Sequence, residues 1–291
     1  MKSFLFIAAI LLTFSLFSQK HSLEGVWQGI SHTLTEKPEQ GLALWMEFDI
    51  NESTGEFSGF VRYEKPYEEF YAYKKMKGKV TSDSTIQFEE VSIRKKEESS
   101  YVIWCKNFGE LSYNSKDGYL TGTYRSSDCP RNMGKMILYR SKYEISRTDT
   151  NTLYHSWLDN FAGELKRGWP AYYVRDAEMR NFEMKPVLFD HDKDSLKPEF
   201  LPYLQQMAKI VESHSDLRIK IIGHTDSNGT DEYNVDLSKR RAYKVRDYLI
   251  NKCGLKEDRI KIEFRGEQDP ATSNATAYGK SLNRRVDFEF I

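Results

Sequence analysis

The chain has 291 residues, with 43 Lys and Arg against 43 Asp and Glu and a formal net charge of zero. That length accommodates two ordinary domains, each with its own core. The charge balance excludes a whole-chain field that would recruit a polyanion, so nucleic acid is not an expected partner.

The first 19 residues, "MKSFLFIAAILLTFSLFSQ", place one lysine before an unbroken apolar run and then small or polar residues. This is the layout of a secretory signal peptide, with cleavage expected near Ser18 or Gln19. No cysteine lies near that junction, so the lipid-attachment signal of a lipoprotein is not expected. The rest of the sequence has no second apolar run long enough to cross a bilayer as a helix. An exported protein is implied.

Residues 20–147 read as short strands separated by polar turns. In "GLALWMEFDI", Leu42, Leu44, Met46, Phe48 and Ile50 alternate with Trp45, Glu47 and Asp49, the pattern of a half-buried strand. Similar alternation runs through "GEFSGFVRYE", "STIQFEEVSI", "YVIWCKNFGEL", "GYLTGTYRS" and "GKMILYRS", with "NESTG" and "NSKDG" as turns. Roughly eight strands without a helical period predict an all-β barrel or sandwich. The opening "EGVWQG" resembles the Gly-x-Trp start of small lipocalin-like barrels. Of the three cysteines, Cys105 and Cys129 are close in sequence and both lie among strands, so in an oxidising compartment they are expected to pair, leaving Cys253 free as a small buried hydrophobe.

Residues 148–180 read as a connector. "RTDTNT" is a polar linker, and "LYHSWLDNFAGELKRGWP" sets Leu153, Trp157, Phe161 and Leu165 at helical spacing before Gly168 and Pro170.

From 181 to 291 strands and helices alternate, predicting an α+β domain with helices packed on a mixed sheet. "PVLFD", "LRIKIIGH", "RIKIEFRG" and "RRVDFEFI" are the strands. "KPEFLPYLQQMAKIVESH" carries Phe200, Leu204, Met207, Ala208 and Val211 on one helical face. A second helix, read as Asn234 to Cys253, has an apolar stripe through Leu237, Val245, Tyr248 and Leu249. Arg241 falls inside that stripe, where a guanidinium is costly unless it has a partner. Asp226 lies in the loop "GHTDSNG" at the carboxyl end of the second strand, and Asn234 occupies the expected N-cap. Two readings remain open from spacing alone: a structural Asp226–Arg241 ion pair, or a pair that binds an ammonium beside a carboxylate.

"GHTDSNGTDEYNVDLSKRRA", followed by "GEQDP" and "NRRVDFEF", resembles the OmpA-like peptidoglycan-binding domain over residues 182–291. The resemblance implies non-catalytic binding of peptidoglycan through diaminopimelate. Asp226 and Arg241 would grip that group, with Asn234 and loop amides in support. Asp190 would line the pocket, and one arginine of Asn283-Arg284-Arg285 would close it. Arg284 is the expected one, because Arg285 starts the outward side of the last strand's alternation. The domain would tether the β domain, whose own ligand or partner protein is open, at the outer membrane and cell wall on the periplasmic side. No cofactor is implied.

Three rivals have weaker sequence support. Asp190, Asp192 and Asp194 alternate as in a calcium loop, but Ser195 and Leu201 stand where the glycine and closing glutamate belong. The histidines show no metal-site spacing, and no nucleophile elbow, His-Glu-x-x-His run or phosphate loop marks an enzyme. An outer-membrane barrel would need strands with an apolar outward face, whereas "VRYEKPYEEFYAYKKMKGKV" scatters charge over both faces.

Overall fold

The computed structural model describes residues 23–142 and 155–291. The expected signal peptide, the "RTDTNT" linker and Leu153 lie outside them. The chain divides into two compact units between Gly168 and Trp169.

The first unit is a closed barrel of eight antiparallel strands in sequence order: β1 (Gly25–Thr33), β2 (Leu42–Ile50), β3 (Glu56–Glu64), β4 (Tyr71–Ser82), β5 (Thr85–Glu97), β6 (Asn107–Asn114), β7 (Tyr119–Ser126) and β8 (Met133–Arg140). The alternation that predicts the strands also sets their inward faces. Trp27, Leu44, Met46, Phe48, Val61, Leu111, Leu120, Met136 and Leu138 fill the interior as one core. Closing so small a barrel demands sharp strand curvature, and one inward layer shows how it is met. Around the wall, cross-strand partners run Phe57, Gly78, Phe88, Gly109, Tyr124, Gly134. A Cβ at Gly78 would sit 2.1 Å from the Gln87 carbonyl oxygen and 2.3 Å from Cζ of Phe57. The glycine thus admits both the neighbouring backbone and the aromatic ring. Outward positions of β4 to β7 carry Lys75, Lys77, Lys79, Glu89, Glu110 and Arg125, all exposed. An apolar inside and a charged outside reverse the polarity of a lipid-facing barrel.

The stretch "YVIW", read as the start of a strand, is instead a loop: β6 begins only at Asn107. Its alternation arises because Val102 and Trp104 turn into the barrel core while Tyr101 and Ile103 stay exposed. A buried polar network anchors this loop. Glu90 accepts from Tyr63 Oη at 2.6 Å, Lys74 Nζ at 2.7 Å and the Asn107 amide at 2.8 Å. Lys74 also donates to the Cys105 carbonyl at 2.5 Å, so the interior charges are paired and hydrogen-bonded. Burial and the Glu90 carboxylate push the Tyr63 phenol well above its usual range. Cys105 and Cys129 form a disulfide across 24 residues, and Cys253 is free.

Helix α1 (Ser156–Arg167) belongs to this first unit rather than to a free connector. Trp157 packs edge-on against Trp45 at 5.5 Å, and Phe161 lies 4.9 Å from Tyr139. At its N-terminus His155 Nε2 sits 2.9 Å from Glu64, which also accepts from Arg62. Gly168, left-handed at φ 68°, caps the helix.

The second unit contains α2 (Tyr172–Arg180), β9 (Val187–Leu188), α3 (Leu201–Ser213), β10 (Ile219–Gly223), α4 (Asp231–Asn251), β11 (Ile260–Phe264), α5 (Ala277–Asn283) and β12 (Arg285–Phe290). The sheet order is β11-β10-β12-β9, with β10 and β11 parallel and the other pairs antiparallel. Leu204, Met207, Ala208 and Val211 of α3 and Ala242, Val245 and Leu249 of α4 pack on Ile219, Ile221, Val286 and Phe288. No described helix is long and apolar enough to cross a membrane.

Removing the disulfide should cost the barrel about 2 to 4 kcal/mol. Cys105→Ser/Cys129→Ser is expected to lower the urea midpoint of the barrel transition, and intact mass without reductant should show one free thiol in the parent.

Candidate functional site

The site gathers at the carboxyl end of β10, where three segments converge: residues 189–194 after β9, residues 224–230 after β10, and the end of α5. Gly223 makes the convergence possible. A Cβ there would lie 2.1 Å from the Ser238 carbonyl oxygen of α4, so glycine is what lets strand and helix touch. Helix α4 starts three residues earlier than the sequence reading places it. Thr230, in extended conformation, is the N-cap and accepts from the Tyr233 amide at 3.3 Å, while Asp231 and Glu232 favour the positive end of the helix. Asn234 is therefore in the first turn, not at the cap. It is buried, donates its side-chain amide to Glu267, and its Oδ1 has no partner.

Arg241 is fully buried, as its place in the apolar stripe predicts. Its partner is not Asp226. Nε donates to the Lys193 carbonyl at 2.9 Å, one terminal nitrogen to the His224 carbonyl at 3.0 Å, and the other to the Asp190 carbonyl at 3.2 Å. The guanidinium carbon lies 5.2 Å from the centre of the Phe189 ring. Among the described residues no carboxylate lies within ion-pair distance of it. Burial accordingly pulls its pKa down to about 10, with the field of Asp226 opposing. Of the two readings left open by spacing, the structural Asp226–Arg241 ion pair is not formed; Arg284 holds Asp226 instead. Its terminal nitrogen is 2.8 Å from Asp226 Oδ2, and its Nε donates to the Phe189 carbonyl at 3.1 Å. Asp226 also accepts from the Asn228 amide at 3.2 Å, and His191 Nδ1 stands 4.0 Å away. Arg285 turns to Asp287 at 2.8 Å and to the Asp269 carbonyl.

Asp190 contributes its backbone carbonyl rather than its carboxylate. Its side chain faces Lys197 at 3.0 Å and Lys193 at 3.6 Å, and Lys197 holds its pKa below the usual carboxylate value. Asp192, in left-handed conformation at φ 60°, accepts from Tyr233. Sequence reasoning leaves out Phe189, Glu267 and Thr225, whose buried Oγ1 has no partner in the site. Glu267 lies in the quoted "GEQDP", and Thr225 in "GHTD". The Lys193 and His224 carbonyls carry no sequence signal, because any residue supplies one.

His224 is structural. It is buried, with Nε2 3.4 Å from Asp287. Burial first and Arg285 second push its pKa down to about 4, against the pull of Asp287 and Asp269.

Residues 188–284 match the OmpA family model, and this segment is an OmpA family domain. Outer membrane protein A of Bordetella avium is 44% identical over 105 residues, covering 36% of this chain and 54% of that protein. Peptidoglycan-associated lipoprotein of Legionella pneumophila is 34% identical over 101 residues, covering 35% and 57%. The crystal structure of the peptidoglycan-associated lipoprotein from Burkholderia pseudomallei aligns at 32% identity over 37% of this chain and 90% of that one, with a TM-score of 0.36. The chain thus spans little more than half the length of the two relatives compared by sequence. The family match stops short of the barrel.

Two outcomes follow from this geometry. Arg241→Ala should destabilise the second unit by about 2 to 4 kcal/mol, since three carbonyls, that of His224 buried, lose their donor; urea unfolding reads this, and Arg241→Lys should recover part of it. For His224 the folded pKa lies below the unfolded value, so its contribution is intact above about pH 6.5 and lost as the pH falls towards 4. The unfolding midpoint of His224→Gln should therefore decline less than the parent's between pH 7 and 4.5.

Proposed function

We propose that the second unit binds peptidoglycan without chemistry, through the free ammonium and carboxylate of a diaminopimelate-type residue, and so holds the barrel at the cell wall. The observation that carries this reading is the charge count at the site. Arg241 and Arg284 face one buried carboxylate, Asp226, and Arg241 touches no carboxylate among the described residues. One positive charge is left without a contacting counterion in a place where desolvation makes that expensive. A ligand carboxylate supplies it, and the planar guanidinium takes a carboxylate bidentately.

The ammonium belongs to Asp226, whose Oδ1 accepts only the Asn228 amide. The partnerless Asn234 Oδ1 and Thr225 Oγ1 are the further acceptors nearby in the chain. Arg284, with part of its side chain exposed, receives the carboxylate first. Arg241 is enclosed, so it joins by exchanging a loop carbonyl for the ligand; the Asp190 carbonyl, at 3.2 Å, is its longest contact. The family match spans residues 188–284, the segment that carries this constellation, and a relative named for association with peptidoglycan is 34% identical over 101 residues of the chain. A periplasmic location against the outer membrane and wall goes with this reading.

The test is co-sedimentation with isolated sacculi, plus calorimetry with a free stem peptide. Asp226→Asn and Arg284→Ala should each weaken binding about ten- to a hundredfold while the variants stay folded by circular dichroism. Mass analysis of the sacculi afterwards should show unchanged fragments. Parental binding by both folded variants would remove the site from the mechanism, and cleaved fragments would remove the non-catalytic reading.

A further inference from the structure

Helix α5 grips the loop that carries Asp226 at two points one helical turn apart. Arg284, the residue after the helix, bonds the Asp226 carboxylate at 2.8 Å. Lys280, whose carbonyl accepts the Arg284 amide at 3.2 Å, donates its ammonium to Asn228 Oδ1 at 2.7 Å. Between these points the Ser227 amide donates to Asn274 Oδ1 at 3.3 Å. Asn283, fully buried, anchors that side of the grip. Its side-chain nitrogen donates to Asn274 Oδ1 and to the Thr272 carbonyl, each at 2.8 Å, and its Oδ1 accepts from the Thr272 amide at 3.0 Å. Lys280 is half-buried, and among the described residues no carboxylate lies within ion-pair distance of its ammonium. An ammonium directed at a neutral amide oxygen balances no charge; what it fixes is the place of Asn228.

From this arrangement, and on the reading of Asp226 as a ligand contact, we infer that Lys280 is a positioning residue: by holding Asn228 it aims the Asp226 carboxylate at the incoming ammonium. Asn228 is the link, because its backbone amide donates to Asp226 Oδ1 at 3.2 Å while Arg284 holds Oδ2. A carboxylate oxygen has two acceptor directions. Fixing both oxygens therefore fixes where the remaining directions point. With Asn228 released, the carboxylate can turn about its own axis and still keep Arg284. A preset acceptor has less freedom to lose when a ligand binds, so affinity falls when the tie is cut. Attraction of charge is not the role. The Lys280 ammonium repels a ligand ammonium at Asp226, so a purely electrostatic part would make its removal improve that contact.

The test is calorimetric titration of the full chain with a free stem peptide that carries diaminopimelate. Lys280→Met, close in length but without a donor, and Asn228→Ala should each weaken binding about three- to tenfold, the scale of ordering one side chain, with the thermal midpoint unchanged. The double variant should bind no more weakly than either single one, and Lys280→Arg should restore most of the parental affinity. Without any ligand, exchange of the Asn228 amide proton, followed by NMR, should quicken severalfold in Lys280→Met, because its bond to Asp226 loosens. Parental affinity in Lys280→Met while Asp226→Asn loses binding, additive losses in the double variant, or unaltered exchange at Asn228 would overturn the inference and leave the peptidoglycan reading standing. Parental affinity in Asp226→Asn would remove that reading and this inference with it.

Discussion

The second unit is organised around a cation that has left water without taking a carboxylate with it. Arg241 spreads its charge over three backbone carbonyls, and those carbonyls belong to two different segments, 190–193 and the end of β10. Holding them in place fixes the loop after β9 against the start of the loop that carries Asp226. The contact requires α4 to lie close to β10, which the missing Cβ at Gly223 permits. Arg284 closes the arrangement from the other side by bonding both Asp226 and the Phe189 carbonyl. Two arginines thus do in this small unit what a longer hydrophobic core would otherwise do for loops, and leave Arg241 without a contacting carboxylate among the described residues.

The barrel meets the opposite problem. Its interior is apolar almost throughout, and the constraint is shape. Strands bent tightly enough to close bring backbone against backbone, and the alternation of aromatic rings with glycines around one layer relieves it while keeping the space filled. Lys74 and Glu90 intrude on it as a fully buried ion pair, tied to the loop that turns Trp104 into the core. Neighbouring residues on that loop and at Cys129 carry the disulfide, so covalent and ionic constraints act on the same few residues.

Most of this architecture was legible because period-2 alternation and helical spacing are direct records of which face is buried. The strands β2, β3, β5, β7 and β8, the sheet of the second unit and the burial of Arg241 could all be read that way. Errors arose where two physical causes leave the same pattern. "YVIW" alternates because a loop dips twice into a core, not because it pairs. Helix α4 starts at Asp231 because Thr230, a competent cap, lies four residues before Asn234. The pairing of Arg241 was illegible in principle: its acceptors are main-chain oxygens, and sequence records side chains. The choice between two arginines for Asp226 could be read, because the alternation of the last strand turns Arg285 away to Asp287 and leaves Arg284 to meet Asp226.

That last point bears on which residues report on function. Arg241 braces the fold, so any variant of it changes stability and recognition together, and a loss of binding there has two explanations. Asp226 and Arg284 bond each other at the margin of the site, where the Arg284 side chain keeps some exposure, and substitutions there leave the Arg241 brace standing. The proposed ligand would also account for a buried cation without a contacting carboxylate. A ligand carboxylate bound there would add a counterion to Arg241, so that binding and folding would be linked and the unit would be most stable when liganded. Replacing Arg241 by an apolar residue would relieve the desolvation cost and forfeit that linkage, which is the trade expected of a recognition site rather than of a core.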